Sequence, residues 1–295
     1  MSLSSKPEST RRDLIRAATA TVAAGVALGG SSTHAAADSN KKSAATGRLK
    51  QSVCRWCYGK IPLDELCSAA KRMGLVGIDL LGPADFATIK KYDLICTMVG
   101  SHPLSDGLCE PKFHAKSLEM INAAIEATSK EGWRNVICFS GNRRGIDDRV
   151  GMDNCVKALK EIVPIAEKAK IILNMELLNS KVDHADYMCD NSKWGVELVK
   201  RVGSNNFKLL YDIYHMQIME GDVIRTIEKE HAAFGHYHTG GNPGRHEIDE
   251  SQELNYKAIA RAIADTKDEV YFAHEFIPAR DPLTSLAEAV DLCVV

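Results

Sequence analysis

From residue 51 onward, short apolar runs alternate with longer amphipathic stretches eight times over, and no other property narrows the choice of fold as far. The runs cover residues 52–57, 77–81, 94–99, 135–139, 171–176, 208–212, 234–238 and 270–275. They are rich in Val, Ile, Leu, Phe and Tyr, as strands buried on both faces must be. Between them, helical periodicity is predicted for 63–73, 83–89, 115–131, 152–168, 194–202, 222–230 and 256–265, with 283–294 as an eighth helix. Pro83 at a helix start and Gly74 just beyond another helix are the expected punctuation. Strand–helix alternation implies a parallel sheet covered by helices, and eight units predict an α/β chain folded as a (β/α)8 TIM barrel. An open doubly wound sheet is the competing fold, but no G-x-G-x-x-G follows the first run to support it. A barrel takes roughly 250 residues, so 51–295 of this 295-residue chain is expected to be one domain.

The first 50 residues have a different character. Arg11-Arg12 precedes an Ala/Val/Gly/Leu stretch that runs to Gly30, and Ala35-Ala36-Ala37 supplies small residues suited to cleavage. The stretch is too short and too rich in Gly and Ala for a permanent span, so no stable membrane anchor is expected. It resembles a twin-arginine export signal. The expectation is a signal peptide over 1–37, a flexible linker over 38–50, and a periplasmic or otherwise exported mature protein.

A net charge of −2 and the lack of a basic patch interleaved with aromatics argue against a nucleic-acid partner. The nine cysteines are scattered without a paired framework. Cys54-x-x-Cys57, a single pair inside a predicted strand, is weak support for zinc or redox work, and both thiols are expected to be packing residues.

The chemistry lies at the strand ends. Glu176, Asp212, His238 and Glu275 close four successive predicted strands, and in a barrel those ends share the rim that carries function. Residues two apart face the same way, so His236 and His238 share a face, with His238 nearer the rim. Carboxylates gathered together are costly unless a cation neutralises them. The four are therefore expected to ligate a divalent metal. An oxygen-rich set with one imidazole favours Mn²⁺, Mg²⁺ or Co²⁺ and admits Zn²⁺. Two positions left for substrate oxygens suit a 2-hydroxy carbonyl compound or sugar, whose enediolate a Lewis acid stabilises. Glu176 and Glu275 can then remove and return a proton as the catalytic pair, with no organic cofactor. Long segments at 100–113, 177–193 and 239–255 are expected to cover the ligand from the same rim. Among substrate-binding candidates, His215 lies three residues past Asp212, Arg245 could clamp a carboxylate or hydroxyls, and His102 follows the third strand. Arg55 and Trp56 end the first predicted strand as candidate pocket walls.

Leu-Tyr-Asp212-Ile-Tyr-His215-Met, Gly-His236-Tyr-His238-Thr followed by Asn242-Pro243-Gly244-Arg245-His246, and His274-Glu275-Phe resemble the xylose-isomerase-like TIM-barrel family, as does Met175-Glu176-Leu-Leu-Asn179. The similarity runs from Val53 to the C-terminus. It implies that Glu176 and Glu275 are both metal ligands and the acid/base pair, that Asp212 and His238 complete the metal shell, and that His215 and Arg245 face the substrate. The nearest activities it implies are hydroxypyruvate isomerisation and ketose 3-epimerisation, and an exported enzyme would meet free sugars or their keto derivatives. Dehydration of a keto-sugar or keto-inositol and non-catalytic sugar binding are the alternatives on the same barrel. The DNA-cleaving branch would need further His and Asp ligands and a basic surface. Barrels of this kind often pair, so a homo-oligomer is an open expectation.

Overall fold

The protein is described here by a computed structural model covering residues 47–295. The expected signal peptide over 1–37, and 38–46 of the expected linker, lie outside the described residues. The strands are β1 Lys50–Cys54, β2 Gly77–Leu81, β3 Ile95–Val99, β4 Asn135–Cys138, β5 Ile172–Glu176, β6 Phe207–Asp212, β7 Phe234–Thr239 and β8 Tyr271–His274. All pair in parallel with their sequence neighbours, and β8 pairs with β1 to close the barrel. The helices are α1 Leu63–Met73, α2 Pro83–Lys90, α3 His114–Lys130, α4 Asp148–Ala169, α5 Ser192–Val202, α6 Ile213–Met219, α7 Val223–Glu230, α8 Tyr256–Asp265 and α9 Pro282–Leu292. No helix among the described residues is long and apolar enough to cross a membrane.

Alternation along each strand divides the molecule into two layers. In β5, Leu173 and Met175 belong to the apolar core between sheet and helices, while Asn174 and Glu176 take the other face. In β6, Leu209 and Tyr211 pack in that same core, whereas Leu210 and Asp212 point away from it. The barrel interior is correspondingly small and mixed, with Met98, Ile137 and Leu210 forming an apolar cluster of their own.

Three features depart from the sequence reading. First, β1 ends at Cys54 rather than at residue 57. Arg55–Tyr58 form a 3₁₀ turn in which the Arg55 guanidinium donates to the Tyr58 carbonyl at 2.6 Å and the Tyr58 ring is buried. Second, the linker expected to be flexible to residue 50 is already ordered at its end. Leu49 is buried, Lys50 pairs with Tyr271, and the Arg48 amide donates to the Val295 carbonyl at 3.0 Å. Third, α6 had no counterpart in the periodicity, being only seven residues long. It starts directly at the end of β6 because Asp212 serves as its N-cap, accepting from the His215 amide at 3.1 Å. Caps likewise start α4 and α5 earlier than expected, at Asp147 and Asn191.

Candidate active site

Four strands deliver the central residues. Glu176 ends β5, Asp212 ends β6, His238 lies one residue before the end of β7, and Glu275 directly follows β8. One ligand atom from each lies within 4.8 Å of all the others, and all four residues are buried. The quartet expected from the sequence is thus brought to a single point on the C-terminal rim. His238 Nδ1 sits 2.8 Å from Glu275 Oε2 and 3.4 Å from Glu176 Oε1. Neither contact has the direction of a hydrogen bond, so this fully buried nitrogen has no hydrogen-bond partner.

The charges do not balance. Unit charges this close repel by about 3–4 kcal/mol at an effective dielectric of about 20, and three carboxylates share the point with one guanidinium, that of Arg245. Arg245 Nη2 donates to Asp212 Oδ2 at 3.0 Å and to Glu275 Oε2 at 2.5 Å. Its Nε donates to the Glu275 carbonyl at 3.2 Å. The guanidinium carbon lies 5.3 Å from the Trp56 ring centre and 5.0 Å from that of Tyr214, so the cation is held between two aromatic faces. The excess negative charge appears in the carboxyl groups themselves. Burial pushes Asp212 up to about 8 against the pull of Arg245, and Glu275's charge adds to the rise. Burial raises Glu176 as well. Burial pushes on Glu275 too, but the charges of His238 and Arg245 outweigh it and hold that carboxyl well below its usual range. Burial opposes a charged His238, but its acidic neighbours outweigh it and lift the ring well above the usual histidine range. Ligation needs the ring neutral, and three ionised carboxylates against one guanidinium would then leave a deficit of two, which a divalent cation would close. The unpartnered His238 nitrogen and the oxygen-rich donor set fit such an ion.

Arg245 reaches the centre because its loop turns back on itself. Gly244 and Arg245 both adopt left-handed backbone, with φ of 95° and 58°. A side chain on Gly241 would meet the Glu247 carbonyl oxygen at 2.1 Å, so only glycine lets the two arms of the loop approach. A non-glycine residue held left-handed at a buried polar centre is the sort of local strain that accompanies function.

His215, in the first turn of α6, lies beside the same centre. The Asn179 amide oxygen accepts from the Val182 and Asp183 amides at 3.0 and 2.8 Å, which orients its NH₂ toward His215 Nδ1 at 2.6 Å. His215 Nδ1 is then an acceptor and its proton sits on Nε2. Arg245 Nη1, 2.9 Å from Nε2, faces it donor against donor, a contact that a substrate oxygen lodged between them would relieve. Burial, together with Arg245, keeps His215 well below the usual histidine range and hence neutral.

His102 does not join this group. Its Nε2 accepts from the Phe139 amide at 3.1 Å and its Nδ1 donates to the Pro103 carbonyl at 3.1 Å. Both nitrogens serve the backbone, burial drives the ring to about 4, and no polar atom is left for a ligand. The bonds tie the segment after β3 to the end of β4.

Three residues near the centre had little or no weight in the sequence. Trp56, ranked only as a wall, donates its indole N–H to Glu275 Oε1 at 2.6 Å. The turn after β1 lifts it there. His184, in the segment after β5, packs its ring edge-on against His215 with centres 5.1 Å apart. Asp79 is fully buried inside the barrel beneath His238. An aspartate in the middle of the run Gly-Ile-Asp-Leu-Leu was the available signal, since a charge in a doubly buried strand needs partners. Cys54 and Cys57 are free, and burial pushes both thiols far above their ordinary range, as suits packing residues.

With this geometry in view, residues 86–293 match the model of the xylose isomerase-like TIM barrel family. The chain belongs to that family. The hydroxypyruvate isomerase of Escherichia coli K12 is 24% identical over 222 residues, covering 71% of this chain and 85% of the relative. Among solved structures, a family 2 AP endonuclease from Brucella melitensis superposes with a TM-score of 0.72 at 23% identity, over 82% of this chain and 97% of that one. A 3-keto-D-glucoside 4-epimerase from E. coli gives 0.71 at 17% identity, over 83% and 98%. At these identities the structural matches establish the shared barrel, while the curated relative adds an isomerase to its company.

Proposed function

We propose that the protein is a divalent-metal-dependent isomerase or epimerase that moves a proton at a carbon next to the carbonyl of a 2-hydroxy carbonyl compound or small sugar. The observation that carries this reading is the convergence of Glu176, Asp212, His238 and Glu275 within 4.8 Å, three carboxyl groups beside one guanidinium, with an unpartnered imidazole nitrogen. These four residues would hold the ion, whose contribution when bound is to polarise two substrate oxygens and stabilise the enediolate.

The chain's own residues supply the rest. Glu176 and Glu275 come from strands with β6 and β7 between them, so they approach the reacting carbon from different sides. One, ionised, takes the proton, and the other, protonated, delivers its own to the neighbouring carbon or to the opposite face. His215 offers its Nε2–H to a substrate oxygen, a role prepared by Asn179. Arg245 is a second donor to the same oxygen, and Trp56 and Tyr214 hold its guanidinium in place. Mass is conserved and no organic cofactor is required. Hydroxypyruvate, giving tartronate semialdehyde, is the substrate suggested by the E. coli relative; a keto-sugar is the one suggested by the 4-epimerase.

The test is metal content of the purified mature chain, wild type beside Asp212→Ala. About one equivalent of Mn, Mg, Co or Zn in the wild type, reduced at least about tenfold in the variant, supports the site. Incubation with hydroxypyruvate and ketoses in deuterated water should then place deuterium on carbon without loss of water. A wild type that binds none of these ions after Mn²⁺ is added back sinks the reading in favour of a non-catalytic barrel, and release of water assigns a dehydratase. We also propose export through the twin-arginine route. Replacing Arg11 and Arg12 with lysine should retain a fused reporter in the cytoplasm, and unchanged export would refute it.

A further inference from the structure

Beneath the rim lies a second cluster of groups that could coordinate an ion: Cys54, Asp79 and His238. Its bonding says otherwise. One Asp79 oxygen accepts from the Ser52 hydroxyl at 2.8 Å and from the Thr97 hydroxyl. The other lies 2.6 Å from His236 Nε2 and 3.2 Å from His238 Nε2. A fully buried carboxylate with four donors is satisfied as an anion without any metal. Cys54 adds no charge, since its thiol is kept neutral by burial and only approaches His238 Nε2 at 3.7 Å.

What Asp79 does follows from the shared ring. His238 has one nitrogen on Asp79 and the other at the rim quartet. As a metal ligand the ring is neutral and carries a single proton, and only Nε2 meets a carboxylate with hydrogen-bond geometry, so Nε2 is the nitrogen that keeps it. The remaining nitrogen presents a lone pair, and it is the one found without a hydrogen-bond partner among Glu176, Asp212 and Glu275. We infer that Asp79 is a positioning residue that fixes the proton of His238 on Nε2, so that Nδ1 faces the rim as a ligand for the divalent cation. Ser52 and Thr97 lock the Asp79 carboxylate from below, on β1 and β3. His236 shares the Asp79 oxygen with His238 and makes no bond to the quartet. The ligand set on β5–β8 thereby depends on a residue from β2, on the far side of the barrel. A carboxylate behind a ligating histidine typically contributes about 10–100-fold in metal affinity.

The inference rests on the metal site proposed above, and the experiment separates the two. Mn²⁺ dissociation constants would be measured by calorimetry on wild type, Asp79→Asn and His236→Gln, with thermal unfolding of each metal-free protein alongside. Asp79→Asn should weaken Mn²⁺ binding by about 10–100-fold. His236→Gln should bind near the wild-type level even though it removes a donor from the same buried carboxylate. A merely structural Asp79 predicts instead that both variants lose affinity in step with their loss of stability, and that result overturns the inference. Should Asp79→Asn fail to fold, nitrogen-15 NMR of histidine-labelled, Zn²⁺-loaded wild type decides the matter. A His238 proton on Nε2 supports it and one on Nδ1 refutes it. A wild type that binds no divalent ion removes the metal reading itself, whereas tight binding that Asp79→Asn leaves unchanged removes only the role of Asp79.

Discussion

The two halves of the barrel are built from the same repeating unit and treat polar groups in opposite ways. In the β1–β4 half the buried aspartate and histidine described above are balanced, and so is Asn135. Asp79 has four donors, His102 has a backbone partner at each nitrogen, and the Asn135 amide donates to the Thr97 carbonyl at 3.0 Å. In β5–β8 the strand ends send three carboxylates and a histidine to one point and answer them with a single guanidinium. A buried carboxylate with all its donors in place offsets its own desolvation and needs no further partner. An unbalanced group of them is costly to keep, so its persistence in a well-packed barrel marks where a ligand is expected. The difference in charge balance between the halves, more than burial or position, separates chemistry from scaffold.

That contrast can be broken most directly at Glu176. Glu176→Gln preserves shape and removes an ionisable oxygen from the unbalanced half. Turnover should fall by about 10²–10⁴-fold with an unfolding temperature at or above that of the wild type, because a repulsive charge has gone. Stopped-assay kinetics and circular dichroism check both, and undiminished turnover would end the acid/base assignment. A smaller effect is expected at Arg245. Arg245→Ala should raise KM more than it lowers kcat, by about 10–100-fold, since a charged hydrogen bond to substrate is worth about 1.5–3 kcal/mol. A loss confined to kcat would move its role into the transition state.

The smallest catalytic effect belongs to the balanced half. His102→Ala leaves the Phe139 amide without its acceptor and should cost about 1–3 kcal/mol of stability, measured by urea unfolding, with KM and kcat near wild type. A large rise in KM with unchanged stability would instead restore the substrate contact expected from its place after β3. Together the three variants test whether charge imbalance, rather than nearness to the rim, predicts function.

Much of this was legible in the chain itself. The strand ends carrying Glu176, Asp212 and Glu275 could be located because each polar residue closes an apolar run, and the barrel rule then places them on one rim. His215 was reachable by the same logic, three residues past a strand-end aspartate. The short helix α6 was missed because seven residues give too little periodicity, although the capping aspartate was in plain view. Trp56 carries little weight in the sequence because the apolar run continues to residue 57, three residues past the end of β1, and so conceals the turn that lifts the indole to Glu275. For His102 the converse holds, since adjacency to a strand end does not reveal that the backbone has claimed both nitrogens.

The barrel and the convergence of its strand-end acids are written in the chain's local pattern. Both follow from local periods, two along a strand and 3.6 along a helix, combined with a closed parallel topology that sends all strand ends to one face. Which of the buried polar groups find partners depends instead on contacts between distant strands. Asp79 meets His236 at a sequence separation of 157, and Trp56 meets Glu275 at one of 219. Those meetings depend on the stagger of the closed sheet and on its irregularities, such as the register shifts on either side of Asp79 in the β2–β3 pairing. A shift of one residue in a strand turns its side chains to the opposite face, and periodicity along the chain carries no record of how two distant strands come into register.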